Sequence, residues 1–154
     1  NSTTVNIHTL IGTFLDRVAD VPARELDAPD TIDDSAVEAS GSVVVANELD
    51  FPTDHYAIRS QFRQRGLDPD EHLRLVESRD GRTIEQEDIA AAMDDDVGIL
   101  FMPTALYRSG QLFDVEALTE LAHEHDATLL AGGDGEFDDL PVDVTVERFR
   151  DHGV

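Results

Sequence analysis

Three short apolar runs divide the chain at intervals that fit a parallel sheet. They are rich in β-branched and aliphatic residues and cover Ser42–Ala46, Val97–Met102 and Thr128–Ala131. A weaker run covers Leu73–Val76. Segments with helical spacing of apolar residues separate these runs, and strands that alternate with helices form parallel sheets covered by helices. The sequence therefore predicts an α/β fold with a mostly parallel sheet.

The helices predicted between these runs carry recognisable start and stop signals. Ser2 or Thr3 is a natural N-cap for a first helix, Asp54 is an acidic cap for a second, and Gly66 is a stop signal after it. Thr83 and Gln86 have the spacing of a capping box before a third helix. The four helices are predicted near Thr3–Leu15, Asp54–Arg65, Ile89–Met93 and Asp114–His125.

The beginning of the chain and one long segment fall outside this alternation. A helix cap so close to residue 1 suggests that this sequence is part of a longer protein, in which a strand precedes the first helix. Residues 20–41 contain several Pro and acidic residues without apolar periodicity, which predicts an irregular surface connection. We therefore expect residues 1–154 to form one domain or part of one.

The charge of the chain is extreme. It has 34 Asp and Glu against 11 basic residues, all of them Arg, and a net charge of −23. The negative charges repel one another, and molar salt screens this repulsion because it shortens the Debye length to about 3 Å. The composition therefore predicts that the protein works in the cytoplasm of a halophilic organism. With no basic patch, nucleic acid and anionic membranes are not expected partners. The absence of Cys excludes disulfides and thiolate chemistry, and no membrane span or signal peptide is apparent.

Several polar or aromatic residues follow predicted strand ends or begin a helix, where parallel sheets bind ligands. A helix start with two hydroxyls suits a phosphate, an aromatic ring can stack on a planar ring, and an acid can hold a protonated ring nitrogen. Together these features indicate pyridoxal phosphate. The candidate cofactor-binding residues are Thr3, Thr4, Phe51, Asp54, Thr104 and Asp134.

Three segments, in matching order and at compatible spacing, resemble kynureninases: Asn1–His8, Phe51–Gln61 and Tyr107–Asp114. The resemblance extends from residue 1 to about residue 125. The ending Phe149–Val154 looks like the family's stretch before its lysine-bearing strand. The resemblance implies an internal fragment of a haloarchaeal-type kynureninase. The chain would be part of the large domain of a fold type I pyridoxal-phosphate enzyme, with three α/β/α layers and incomplete at both ends.

Kynureninases are homodimers that use pyridoxal phosphate to hydrolyse kynurenine or 3-hydroxykynurenine to an anthranilate and alanine, in tryptophan catabolism and NAD biosynthesis. By resemblance, Thr3 and Thr4 would contact the cofactor phosphate, Phe51 would stack on the pyridine ring and Asp54 would lie beside it. The resemblance thus implies two partners. One is a small amino-acid substrate, kynurenine, and the other is a second copy of the full-length chain in a homodimer.

Two departures from the family limit what this chain can do. The family's Asp-Leu-Ala-His motif, which holds the pyridine nitrogen, is replaced by Gly132–Asp139. Asp134 matches by its place directly after the strand and Asp138 by its preceding Phe; we favour Asp134. The chain also has no Lys, so the amine that forms the Schiff base is absent and no catalytic residue is assigned. The isolated chain is expected to be inactive.

Two other functional interpretations stay open. One is another member of the same cofactor superfamily, such as a class V aminotransferase or a cysteine desulfurase, although those families usually place a His where Phe51 stands. The other is a decayed, non-catalytic acidic domain, which the missing Lys favours. A metal site is not expected, because His123 and His125 turn to different sides of a helix and the acidic loop after Gly132 lacks calcium-loop spacing.

Overall fold

A computed structural model describes residues 3–18, 41–133 and 144–147, and it contains a parallel sheet. The five strands pair in the order β2-β1-β3-β4-β5, and every pairing is parallel. The predicted α/β class with a parallel sheet is therefore confirmed. The strands are β1 (Val43–Asn47), β2 (Leu73–Val76), β3 (Val97–Pro103), β4 (Thr128–Gly133) and β5 (Val144–Glu147).

Helices cover both faces of this sheet. Side chains of β1 to β4 point to both faces of the sheet, and the buried apolar ones separate into two clusters. One cluster joins the sheet to α1 and α2, and the other joins it to α4 and α5. The architecture is therefore three-layered, α/β/α. The helices are α1 (Thr3–Val18), α2 (Pro52–Gln64), α3 (Pro69–His72), α4 (Gln86–Ala92) and α5 (Val115–Glu124).

The central strands are apolar because both of their faces are buried. All five residues of β1 are buried, and so are the first six of β3. Val45, Leu100 and Leu129 are register partners across β1, β3 and β4, and none is accessible to solvent. This explains why the runs lack the alternation of half-exposed strands.

Gly66 acts as the predicted stop signal, and α5 has a side-chain cap that was not predicted. Gly66 follows α2 with φ of +75°, a conformation that glycine adopts without steric cost. The Asp114 carboxylate caps α5 by accepting a hydrogen bond from the Ala117 amide at 3.1 Å. Both signals are local, since each depends on neighbouring residues.

Two predicted caps are wrong. The N-cap of α2 is Phe51, and Asp54 lies in the first turn because Pro52, with its fixed φ, already occupies the first helical position. Thr83 forms no capping box; its hydroxyl donates to Asp80 at 3.0 Å. The N-cap of α4 is Glu85, without a side-chain hydrogen bond.

Some elements were not predicted, and some predictions lie outside the described residues. Helix α3 and strand β5 are too short to show periodicity in the sequence. The predicted connection 20–41 is described only at Gly41. No helix in the described part of the chain is both long and apolar enough to cross a membrane.

Candidate cofactor site

The carboxyl ends of the strands bring three of the predicted site residues to one edge of the sheet. Phe51 and Asp54 follow β1, and Thr104 directly follows β3, the neighbour of β1. The Thr104 amide donates to the Gly132 carbonyl of β4 at 2.6 Å, which continues the sheet to its end. Asp134 comes directly after β4, but it lies outside the described residues, as does Asp138.

The start of α1 points to the same edge. Gln61 of α2 donates to the His8 ring at 3.0 Å, and Arg65 donates to the Gly12 carbonyl at 2.7 Å. Because both helices advance by four residues between these contacts, α1 and α2 run parallel. Since α2 begins at the carboxyl edge, α1 begins there too, with Thr3 and Thr4 in its first turn. Their side chains are outside the description, but the free amides of a helix start attract anions.

A buried asparagine shapes the turn between β1 and α2. Asn47 is completely buried; its side-chain oxygen accepts from the Leu49 amide at 3.0 Å. Its main-chain carbonyl accepts from Nε2 of His55 at 2.8 Å, so this nitrogen of His55 carries a hydrogen. These bonds tie the turn to the first turns of α2. They fix the position of Phe51 relative to the carboxyl end of β1.

Phe51 presents an aromatic ring at this edge. The ring of Tyr107, from the loop after β3, stacks on it with 3.9 Å between centroids and 17° between planes. The residues remain 49% and 44% exposed, respectively. Arg108 donates from Nε to the Tyr107 hydroxyl at 2.8 Å. The edge therefore carries an aromatic pair that is open to solvent.

Two acidic residues, Asp50 and Asp54, lie close to Phe51 in the sequence at this edge. Asp50 is 6% exposed, and burial raises its pKa to about 7, helped by the charge of Asp54 and opposed by hydrogen bonding to Asn47. Its Oδ2 is buried and bonds to no residue that the structure describes. Burial also raises the pKa of Asp54, against a hydrogen bond from Thr53 and the proximity of His55. Asp50 is thus the group at this edge that keeps a proton up to about neutral pH.

Asp50 and Tyr107 are the residues of this site that sequence reasoning did not single out. Tyr107 lay inside a segment that resembles kynureninases, which was the available signal. Asp50 gave none, because an acid in a turn is normally solvated. For metals, no group of three or more His, Cys, Asp or Glu side chains in the described ranges could hold an ion. His125 instead lies 3.9 Å from Asp95.

Solved structures with a similar fold include a cysteine desulfurase and a cystine C-S lyase. An apo cysteine desulfurase from Thermococcus onnurineus NA1 superposes with a TM-score of 0.61 at 12% identity, over 87% of this chain and 27% of that one. The cystine C-S lyase C-DES, in complex with cysteine persulfide, gives 0.60 at 12%, over 92% and 35%. At this identity the likeness shows the fold alone: the chain has part of the large-domain fold of fold type I enzymes.

The curated relatives are more specific. The chain is 46% identical to the kynureninase of Bacillus anthracis over 123 residues, 44% to that of Geobacillus thermodenitrificans and 37% to that of Shouchella clausii. Each alignment covers 80% of this chain but 24% of the relative, so the chain spans about a quarter of their length. No protein-family model matches the chain. The chain is thus homologous to a segment of kynureninases.

Proposed function

We propose that this chain forms part of the cofactor site of a kynureninase-like hydrolase, which cleaves kynurenine or 3-hydroxykynurenine to an anthranilate and alanine. The observation that carries the proposal is the 46% identity of this chain to a kynureninase. The fold supports it, because Phe51, Asp54 and the start of α1 lie at one edge of the sheet. The implied cofactor is pyridoxal phosphate. A C-DES variant, a protein of similar fold with glycine linked covalently to its PLP cofactor, supports this choice.

The described residues fit the cofactor. Phe51 is half exposed and offers an aromatic surface to the pyridine ring. The first turn of α1, with Thr3 and Thr4, would bind the phosphate through main-chain amides and hydroxyls. Thr104 would contact the ring's polar edge. When bound, pyridoxal phosphate supplies an electron sink for the bond that breaks.

The acidic residues would control protons at this edge. Asp54, with its raised pKa, would lie beside the ring. Asp134 would keep a proton on the pyridine nitrogen, and Asp138 is the alternative for that role. The Phe51 ring would exclude water from one ring face. The lysine that links the cofactor covalently must come from outside these 154 residues, which contain none.

Further properties follow from the same proposal. The complete protein would be a homodimer in a halophilic cytoplasm, and it would act in tryptophan catabolism and NAD biosynthesis. The acidic composition supports the salt-adapted setting. The desulfurase-like folds are too distant in sequence to favour a desulfurase, and the non-catalytic alternative is decided by the experiments below.

A cofactor-trapping experiment tests the site. Pyridoxal phosphate is added, followed by borohydride, and the mass of the protein is measured by mass spectrometry. Because the chain has no Lys, we expect a reduced adduct only at the terminal amine. Phe51→Ala and Thr4→Ala should weaken binding, and Thr13→Ala, an exposed threonine further along α1, should not. An adduct on an internal residue, or equal binding by all variants, would contradict the proposed site.

A chimera tests the activity. This chain replaces the homologous segment of the Bacillus anthracis kynureninase, which supplies the missing lysine. The chimera should cleave kynurenine, whereas the isolated 154-residue chain should not. A folded chimera that binds pyridoxal phosphate but leaves kynurenine intact would favour the decayed, non-catalytic alternative. Cleavage by the isolated chain would refute the assignment of catalysis to a lysine elsewhere.

A further inference from the structure

The stack of Tyr107 on Phe51 leaves one ring face uncovered. Tyr107 lies 3.9 Å from Phe51 between centroids, nearly parallel, so it covers one face of the Phe51 ring. A ring enclosed on both faces could not be half exposed, yet Phe51 is 49% exposed. The opposite face of Phe51 is therefore open to a planar ligand without any rearrangement of Tyr107.

The main chain around Tyr107 is held in a small hairpin. Ala105 and Leu112 form an antiparallel bridge, and the Leu106 amide donates to the Gln111 carbonyl at 2.9 Å. The Gly110 amide donates back to Leu106 at 2.8 Å, with φ of +73° at Gly110. The hairpin thus fixes the base of the Tyr107 side chain.

The Tyr107 side chain is held at its other end by Arg108. Besides the 2.8 Å hydrogen bond to the hydroxyl, the guanidinium carbon of Arg108 lies 5.4 Å from the Tyr107 centroid. Such a cation near an aromatic ring adds attraction to the hydrogen bond. Tyr107 is therefore constrained from both ends although it is 44% exposed.

We propose that Tyr107 is a positioning residue, which holds Phe51 from behind so that the open face of Phe51 stacks on the pyridine ring of a phosphorylated ligand. The inference rests on the proposed function. A half-exposed Phe side chain loses rotamer entropy when a ligand orders it. The stack on Tyr107 already orders Phe51 in the free protein, so less entropy is lost on binding. Tyr107, Phe51 and the ligand would form three stacked rings.

The alternative arrangement predicts the opposite effect. If Tyr107 covered the face that the ligand needs, the ligand would have to displace it. Removing the Tyr107 ring would then strengthen binding, whereas a backing role requires that binding weaken. The sign of the change therefore distinguishes the two arrangements.

The test uses pyridoxine 5′-phosphate, which lacks the aldehyde and cannot react with the terminal amine. Its affinity for the 154-residue chain is measured by calorimetry in about 1 M KCl, where charge repulsion is screened. Tyr107→Leu should bind about fivefold more weakly, and Tyr107→Phe, which keeps the ring stack but loses the hydrogen bond from Arg108, should bind more tightly than Tyr107→Leu. Tyr56→Leu, at an exposed tyrosine of α2, is the matched control and should have no effect.

The outcomes separate the two proposals. Binding by Tyr107→Leu that is unchanged or tighter overturns the positioning role but leaves the proposed cofactor site intact. A failure of Tyr107→Phe to restore binding also overturns it, since the stack would then not be the cause. No binding by the original chain overturns the cofactor site, and the positioning role with it.

A second measurement keeps Tyr107 in place, in case Tyr107→Leu does not fold. The chain has two Tyr and no Trp, so all tyrosine fluorescence of Tyr56→Phe comes from Tyr107. Acrylamide quenching of Tyr107 is measured with and without pyridoxine 5′-phosphate. We expect equal quenching constants, because Tyr107 stays stacked on Phe51. A constant that rises on ligand binding would show displacement and refute the proposal.

Discussion

At the scale of single residues, the buried Asp50 makes the stability of the chain depend on pH. Its carboxyl is buried beside Phe51, and burial raises its pKa from 3.8 to about 7. Between these values the folded state keeps a proton that the unfolded state has lost, so stability falls as pH rises. The loss is at most about 1.4 kcal/mol per pH unit, and it ends near pH 7, where both states are ionised.

Asp50→Asn should remove this pH dependence. Asparagine has a similar shape but no proton to lose, so the gain in unfolding free energy over the original chain should grow from pH 4 to pH 7 and then level off. Urea titrations at several pH values, in high salt, measure it. Glu120→Gln, at an exposed position of α5, is the control and should show no such growth. A difference that is constant with pH would contradict the raised pKa.

At the scale of elements, the hairpin that carries Tyr107 depends on one glutamine. The Gln111 side chain makes a pair of hydrogen bonds with the main chain of Ile84: its oxygen accepts from the Ile84 amide at 2.8 Å, and its nitrogen donates to the Ile84 carbonyl at 2.7 Å. Ile84 itself is almost fully buried. The pair joins the loop after β3 to the segment before α4, and thereby supports the candidate site.

Gln111→Leu should destabilise the chain by about 1–3 kcal/mol, because the main-chain amide and carbonyl of Ile84 lose their partners while remaining partly buried. Denaturant unfolding measures the change. Leu112→Ala, next to it but 78% exposed, should cost little. Equal stability of Gln111→Leu and the original chain would mean that water replaces both hydrogen bonds.

At the scale of the whole molecule, the net charge of −23 dominates. The described ion pairs offset little of it. Arg59–Asp70, Arg74–Asp94 and Arg79–Asp88 are close, at 2.6–2.9 Å, but at least one partner in each is substantially exposed. Exposed pairs contribute only about 0–1 kcal/mol. Solvent ions must therefore supply most of the screening.

The melting temperature should rise between 0.1 M and 1 M KCl, as the Debye length falls from about 10 Å to about 3 Å. Scanning calorimetry at fixed protein concentration and pH measures the shift. Sucrose, which is excluded from protein surfaces but does not screen charge, separates screening from a general solvent effect. A melting temperature that is flat in KCl, or that rises equally in sucrose, would contradict the halophilic interpretation.

The sequence by itself determined most of the helices and strands and the sheet edge at which the candidate site residues lie. Apolar runs such as Val97–Met102 predicted strands, and Gly66 marked a helix end, because these signals depend on residues a few positions apart. Strand alternation with helices made the sheet parallel, which placed Phe51 and Thr104 at its carboxyl edge. The resemblance to kynureninases was likewise readable from consecutive residues and agrees with the relatives found.

Only the tertiary structure decided what surrounds those residues. Tyr107 is 56 positions from Phe51, and no local pattern indicates that their rings stack. Asp50 is buried in the turn after β1, where its amide donates to the Asn47 carbonyl at 3.4 Å, although an acid in a turn is normally solvated. Because Pro52 is the first helical residue of α2, the cap is Phe51 and not Asp54. The Thr83 hydroxyl donates to Asp80 and therefore forms no capping box. Burial and stacking join residues that are distant in sequence, so packing determines them and local periodicity does not.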